Sequence, residues 1–188
     1  AASALAQRLK MSYREGLVKN PYIMRTFIMS GQINRQHCLR QKLNPLPEEF
    51  SGRHVCLVDD SIVRGNTALQ VVAMAKQAGA RAVSLLSLSP AIKFANFYGI
   101  DMPSVNDLIA HRLTLKQMRD TLEVEGLEFL EHDRLKRAIQ ELGPHIEQFE
   151  DSVFTGQYRV AYKNITMDPP TGWRTFSDQS DPVIVSAV

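Results

Sequence analysis

The chain has 188 residues, of which 44% are hydrophobic and 22% are charged, and its formal net charge is +2 at pH 7. These values are typical of an ordinary globular protein with a full core. The charge is too small to argue for nucleic-acid binding, and no apolar run approaches the roughly 18 residues of a membrane helix. Two cysteines, Cys38 and Cys56, cannot form a disulfide framework. We therefore expect a cytoplasmic protein that binds neither nucleic acid nor a membrane.

The two ends of the chain differ from its middle. An Ala-rich pattern from Ala2 to Lys10 predicts a helix with Leu5 and Leu9 on one face. Residues 159–188 contain turn residues but little periodicity. We interpret the chain as part of a longer polypeptide, with a partial domain over residues 1–158 and a tail over residues 159–188.

The segment that follows the first helix is basic. "SYREGLVKNPY" predicts a short strand that leads into a loop at Asn20-Pro21. No acidic residue occurs from Gly16 to Pro47, which contains Lys19, Arg25, Arg35, Arg40 and Lys42. Such a stretch is usually a solvated surface, but it would also suit an anionic ligand. "NPLPEEFSGR" then predicts a Pro-rich connector.

A strand, a helix and a second strand come next. "HVCLVDD" is a nearly continuous apolar run, as in a strand covered on both faces, and Cys56 within it is predicted to pack as a small hydrophobic residue. Thr67 to Ala78 predicts an apolar helix that ends at Gly79, and "RAVSLLSLS" predicts the next strand. This βαβ unit implies a parallel sheet and an α/β fold.

The rest of the chain is predicted to be mainly helical. Ser104 with Asp107 indicates a helix start. "TLKQMRDTLEV" and "DRLKRAIQEL" have helical periodicity, and Gly143-Pro144 ends the second of these helices. "FEDSVFTGQYRVAY" could be a short strand or a loop.

Two adjacent acids follow the strand "HVCLVDD" at its carboxyl end, where ligands bind in parallel α/β sheets. Ser61, Gly65 and Thr67 come directly after Asp59 and Asp60, at the transition into a helix N-terminus, which is a natural seat for a phosphate. Gly65 would let the backbone approach closely, and the two hydroxyls could donate to phosphate oxygens. Carboxylates repel phosphate, so we expect them to face hydroxyl groups, a divalent cation or both.

The run "VCLVDDSIVRGNT" resembles the phosphoribosyl-pyrophosphate binding motif of type I phosphoribosyltransferases. Four blocks in this order are similar to the amidophosphoribosyltransferase family: "SYREGLVKNPYIMRTFI", "RQKLNP", "LVDDSIVRGNT" and "YGIDMPS". The resemblance extends from about Ala2 to Tyr158. It implies the parallel α/β sheet of the type I phosphoribosyltransferase fold, with additional C-terminal helices and without the N-terminal glutaminase domain of the family.

The resemblance also implies roles for individual residues. Asp59 and Asp60 would engage the ribose hydroxyls and the Mg²⁺ that accompanies the substrate. Lys19 and Arg25 match a loop that brings cationic groups to the pyrophosphate, and they are the catalytic candidates. The loop that would cradle the 5-phosphate comprises Ser61, Ile62, Val63, Arg64, Gly65, Asn66 and Thr67.

The implied reaction is attack of ammonia on C1 of phosphoribosyl pyrophosphate, which forms 5-phosphoribosylamine in the first committed step of de novo purine nucleotide synthesis. Ammonia would come from glutamine in a glutaminase domain, whose catalytic Cys is the first mature residue in the family, whereas this chain begins with Ala1. The family also implies a homo-oligomer and feedback inhibition by purine nucleotides. No iron–sulfur cluster is expected, because the cysteines that some members have near "FEDSVFTGQY" have no counterpart here.

Two other interpretations stay open. A protein of this fold could bind phosphoribosyl pyrophosphate as a regulatory sensor without catalysis. A phosphorylation-receiver domain also ends its first strand on two acids, and Asp101 in "DMP" would then accept the phosphate. Receivers lack a Gly-x-Thr loop after the acids, and their acid pair lies near the start of the domain, so we favour the phosphoribosyltransferase.

Overall fold

The computed structural model describes residues 1–19, 43–98, 100, 102 and 104–158. Predictions made for Arg25, Cys38, Asp101 and the tail lie outside the described residues. The strands are β1 (Leu17–Lys19), β2 (Leu43–Pro45), β3 (His54–Asp59), β4 (Ala82–Ser87) and β5 (Gly126–Phe129). The helices are α1 (Ala2–Arg8), α2 (Pro47–Phe50), α3 (Asn66–Gln77), α4 (Ile109–Arg112), α5 (Leu115–Leu122), α6 (His132–Leu142) and α7 (Ser152–Thr155), and a 3₁₀ turn spans Val105–Asp107.

The strands β3, β4 and β5 form a parallel sheet with β4 in the centre. Val55 of β3 lies opposite Val83 of β4, and Leu85 of β4 lies opposite Leu127 of β5. The strands β1 and β2 form a separate antiparallel pair. The parallel pairing of β3 with β4 confirms the predicted α/β fold, whereas β5, which is only four residues long, was not predicted.

Helix α3 connects β3 to β4 and buries one of its faces. Ala68, Val72 and Ala75 recur with helical spacing and are at most 3% exposed. They belong to the same core cluster as Val83 of the central strand. Gly79, with a φ of +94°, follows the helix as predicted, because glycine adopts this left-handed conformation without a steric penalty.

Helix α5 begins with a reciprocal cap. The Gln117 N–H donates to Thr114 Oγ1 at 3.3 Å, and the Thr114 N–H donates to Gln117 Oε1 at 2.9 Å. Such a capping box satisfies two backbone donors that the helix itself leaves unpaired. Met118 and Leu122, one turn apart, then pack into the core at 2% and 1% exposure, which confirms the predicted helix.

Three local predictions were wrong, and a fourth, the helix start at Ser104, is confirmed only for a short 3₁₀ turn. The connector "NPLPEEFSGR" contains the end of β2 and all of α2, and the segment around Ser152 forms the short helix α7 rather than a strand or loop. Ser104 caps the 3₁₀ turn by accepting from the Asn106 N–H at 3.2 Å, so a full helix does not begin there. Cys56 is exposed, as is His54 on the same face of β3, whereas Val55 and Leu57 on the opposite face pack against the core.

Within the described ranges, no helix is both long enough and apolar enough to cross a membrane.

Candidate functional site

The predicted acid pair lies where β3 ends. Asp59 is the last residue of β3 and lies opposite Ser87 of β4, and Asp60 begins the loop that follows. The Asp60 N–H donates to Asp59 Oδ1 at 2.9 Å, and the Ser61 hydroxyl donates to Asp60 Oδ1 at 3.2 Å. These bonds orient both carboxylates through Oδ1.

The acid pair has no compensating cationic side chain within the part of the chain that the structure describes. Burial raises the pKa of the half-buried Asp59; the hydrogen bond from the Asp60 N–H opposes this rise, and the neighbouring Asp60 charge adds to it. No basic side chain among the described residues forms an ion pair with either acid. Bringing a cation to these carboxylates would therefore be electrostatically favourable.

The carboxylate oxygens of Asp59 and Asp60 suit Mg²⁺, which usually takes one or two protein carboxylates and completes its shell with water and substrate phosphates. The described part of the chain contains no group of three or more His, Cys, Asp or Glu side chains that could hold a metal ion. The chemistry of the pair therefore fits a Mg²⁺ shared with a bound ligand better than an ion held by the protein alone.

The loop after the acids leads into the N-terminus of α3, which is twelve residues long. Gly65 is the N-cap residue, and none of the described side chains caps this helix with a hydrogen bond. First-turn N–H groups have no partner within a helix, and they attract anions together with the helix dipole. Asn66 and Thr67 are exposed in this turn, so the Thr67 hydroxyl and the first-turn amides can reach a bound phosphate.

The packing of the fold favours glycine at position 65. Its φ of +83° is a left-handed conformation that side chains disfavour. A Cβ at this position would lie 2.6 Å from Ile109 Cδ1 and 3.4 Å from Leu122 Cδ2. Both of these side chains are core residues, at 2% and 1% exposure. The glycine thus lets the loop pack directly onto the core beneath it.

Further contacts fix the other loop residues. The Ile62 side chain is 2% exposed in the core, and the Val63 carbonyl accepts from the Ile109 N–H at 3.0 Å. Arg64 Nε lies 3.8 Å from Asp107 Oδ2. The sequence analysis did not connect Ile109 or Asp107 with the site, and no local signal could have done so, since both lie far along the chain from the loop.

The structure therefore brings together the predicted residues from Asp59 to Thr67 at one end of the sheet. Lys19 is the last residue of β1, where it pairs with Leu43 of β2. The Lys19 side chain and all of Arg25 lie outside the described residues. The two basic candidates stay predictions.

Comparison with known proteins finds relatives that are named amidophosphoribosyltransferase. No family model matches the chain. It is 45% identical over 177 residues to an amidophosphoribosyltransferase of Escherichia coli strain K12, covering 94% of this chain and 34% of that protein. It is 47% identical over 161 residues to an amidophosphoribosyltransferase of Pseudomonas aeruginosa, covering 84% and 32%. Identity to the amidophosphoribosyltransferase of Saccharomyces cerevisiae is 45% over 154 residues, covering 81% and 30%.

Solved structures agree with these relatives. Glutamine phosphoribosylpyrophosphate amidotransferase from B. subtilis, complexed with ADP and GMP, matches with a TM-score of 0.73 at 34% identity, covering 89% of this chain and 37% of that one. A structure described as the allosteric regulatory enzyme of purine biosynthesis matches with a TM-score of 0.71 at 32% identity, covering 92% and 37%. The chain spans about a third of the length of the curated relatives it matches. Over that span, the chain is similar to amidophosphoribosyltransferases in both sequence and fold.

Proposed function

We propose that this chain binds phosphoribosyl pyrophosphate and forms the phosphoribosyltransferase portion of an amidophosphoribosyltransferase. The observation that carries the proposal is the acid pair Asp59 and Asp60, joined by one short loop to the N-terminus of α3. Among the described residues, no cation pairs with these acids and no side chain caps this helix. The first feature repels phosphate, and the second attracts it. A ligand with a phosphate at one end and a diol with a bound cation at the other satisfies both.

The residues of the site have separate tasks in this proposal. Asp59 and Asp60 would accept hydrogen bonds from the ribose hydroxyls, and their carboxylates would hold Mg²⁺. The backbone from Ser61 to Thr67 surrounds the 5-phosphate, and the Thr67 hydroxyl donates to it. When it is bound, Mg²⁺ neutralises charge on the pyrophosphate and helps to orient it. Arg64 adds positive charge within the loop.

The proposed reaction of the complete protein is a substitution at C1 of the ribose. The ammonia nitrogen forms a bond to C1 and loses a proton, while the bond from C1 to the pyrophosphate oxygen breaks. Positive charge then develops on the sugar ring and negative charge on the leaving group. The acid pair and the loop hold the ribose in place, and Lys19 and Arg25 stabilise the pyrophosphate, so the protein acts by positioning and electrostatics.

Further parts of the proposal concern the complete protein. Ammonia comes from glutamine at a separate glutaminase domain, and the protein is a cytoplasmic homo-oligomer. Purine nucleotides inhibit it by feedback. The B. subtilis relative complexed with ADP and GMP supports the last point.

Calorimetric titration with phosphoribosyl pyrophosphate tests the binding proposal. We expect saturable binding whose affinity increases when Mg²⁺ is added. The Asp60→Asn variant should lose most of this increase in affinity. Asp120→Asn, which removes a carboxylate from the exposed side of α5, is the matched control and should bind like the parent. Equal Mg²⁺ dependence in parent and Asp60→Asn would contradict the assignment of the acid pair.

A sensor without catalysis remains a second candidate function, because the whole-protein reaction depends on segments beyond the described site. Release of pyrophosphate from phosphoribosyl pyrophosphate in the presence of ammonium salt separates the two. Ammonium-dependent release that disappears in Asp60→Asn supports the enzyme. Tight, Mg²⁺-dependent binding without any release supports the sensor.

A further inference from the structure

We propose that the segment Asp107–Ile109 is a positioning element for the phosphate loop, and that Asp107 affects ligand affinity through Arg64. The proposal rests on the proposed function, since it assumes that the loop binds the 5-phosphate. It adds residues from a distant part of the chain to the site and gives each one a specific contact.

Three successive loop residues are each held by this segment. The Val63 carbonyl accepts from the Ile109 N–H at 3.0 Å. Arg64 Nε lies 3.8 Å from Asp107 Oδ2. Gly65 packs so closely over the Ile109 side chain that a Cβ there would lie 2.6 Å from Cδ1. The half of the loop that enters α3 therefore contacts one distant segment at three successive residues, and Gly65 also packs against Leu122 of α5.

The first half of the loop has a different support. Asp60 and Ser61 take part in hydrogen bonds with neighbours in sequence, from the Asp60 N–H to Asp59 Oδ1 and from the Ser61 hydroxyl to Asp60 Oδ1. Such local bonds orient the acids, but they do not fix the loop relative to the rest of the fold. That task falls to the buried Ile62 and to the segment Asp107–Ile109.

The positioning segment is itself firmly placed. Leu108 and Ile109 are 1% and 2% exposed. The Asp107 N–H donates to the Ser104 carbonyl at 3.0 Å, and the Leu108 N–H donates to the Val105 carbonyl at 3.0 Å. The Asp107 side chain is 50% exposed, in contrast, so its carboxylate can be changed without disturbing the core.

The position of Asp107 explains how it would act on affinity. It meets the guanidinium of Arg64 at Nε, and no hydrogen bond or ion pair found within the described residues uses the terminal amino groups. A guanidinium held by one edge presents its other donors in a fixed direction. Ordering such a side chain before the ligand arrives lowers the entropy that binding must otherwise overcome. Loss of the negative charge of Asp107 would by itself raise the affinity for an anionic ligand slightly. Water screens this opposing effect, because the Asp107 side chain is half exposed.

The decisive test is a double-mutant cycle on the affinity for ribose 5-phosphate, measured by calorimetry with Asp107→Asn, Arg64→Ala and the double variant. We expect Asp107→Asn to weaken binding about three- to tenfold in the parent, which corresponds to ordering one long side chain. The same substitution should have no effect in the Arg64→Ala background, since its partner is then missing. Asp120→Asn serves as the control for loss of an exposed carboxylate.

Pyrophosphate, titrated in the presence of Mg²⁺, is the second probe, because it has no 5-phosphate and should bind the Asp107→Asn variant as it binds the parent. If Asp107→Asn weakens the binding of both probes equally, the damage is general and the proposal is overturned. It is also overturned if Asp107→Asn leaves the affinity for ribose 5-phosphate unchanged, or lowers it equally in the Arg64→Ala background. If the parent binds neither probe, the proposed function fails as well. Binding by the parent with no effect of Asp107→Asn overturns the positioning role alone.

The backbone contact can be tested independently of Asp107. Ile109 is the first residue of α4 and follows the extended Leu108, a position at which proline is tolerated. Ile109→Pro removes the N–H that holds the Val63 carbonyl, and Ile109→Val keeps this N–H with a side chain of similar size. We expect Ile109→Pro to bind ribose 5-phosphate more weakly than Ile109→Val. Equal affinity of the two variants would overturn the backbone part of the proposal.

Discussion

Replacement of Gly65 by alanine tests the packing of the loop onto the core. The alanine must adopt a φ of +83°, which costs a residue with a Cβ about 1–2 kcal/mol. The new Cβ must also displace Ile109 Cδ1, which lies 2.6 Å from the position of this Cβ, and overpacking of this kind costs about 1–3 kcal/mol. The lower entropy of the unfolded variant offsets about 0.4–1 kcal/mol. We therefore expect Gly65→Ala to lower the free energy of unfolding by about 1–5 kcal/mol.

Two companion variants separate these contributions in urea unfolding followed by circular dichroism. Gly52→Ala has a similar positive φ of +69° with nothing within 4 Å of the new Cβ, so it reports the conformational cost alone. Ile109→Val removes Cδ1 and costs about 0.5–1.5 kcal/mol in the parent, but it should cost nothing, or restore stability, in the Gly65→Ala background. Strict additivity of Gly65→Ala and Ile109→Val would refute the close contact between loop and core.

Three other substitutions have expected effects on stability, each measured by urea unfolding. Asp59→Asn should stabilise the fold at neutral pH. Because the pKa of Asp59 is raised, its contribution to stability is highest below the ordinary value of 3.8 and declines as pH rises through the raised pKa, a decline that the variant should lack. A loss of stability at pH 7 in the variant would contradict this expectation. Thr114→Ala should cost about 1 kcal/mol by breaking the capping box with Gln117, and an unchanged midpoint would contradict it. Glu123→Gly should stabilise the fold by about 0.5–1 kcal/mol, since relief of the left-handed φ of +55° outweighs the loss of the surface ion pair with Lys76. Net destabilisation of the variant would mean that the ion pair contributes more than the strained backbone costs.

Local patterns predicted the parts of the site that are continuous in sequence. The apolar strand that ends at Asp59, the loop and the helix after Gly65 form one short run, and their periodicity and turn residues indicate the βαβ unit directly. The contacts of Arg64 with Asp107 and of Val63 with Ile109 could not be predicted, because they depend on how distant segments pack. No periodicity or spacing in a single sequence records such contacts.

The errors in the fold have similar causes. Strand β5 is only four residues long and contains Gly126 and Glu128, which have low strand propensity, so tertiary pairing with β4 decides its structure. Cys56 was predicted to be packed because its strand is apolar throughout, but burial depends on what covers each face of the sheet. A hydrophobic run indicates a strand more reliably than it indicates which faces are covered.

The most direct test of the central claim is an NMR titration of the ¹⁵N-labelled chain with phosphoribosyl pyrophosphate and Mg²⁺. If the loop binds the 5-phosphate, the largest saturable amide shifts should occur from Ser61 to Thr67, with further shifts at Asp59 and Asp60. The Asp60→Asn variant should need more ligand to reach the same shifts. Saturable shifts that avoid the loop and the acid pair, or no saturable shifts at all, would contradict the account.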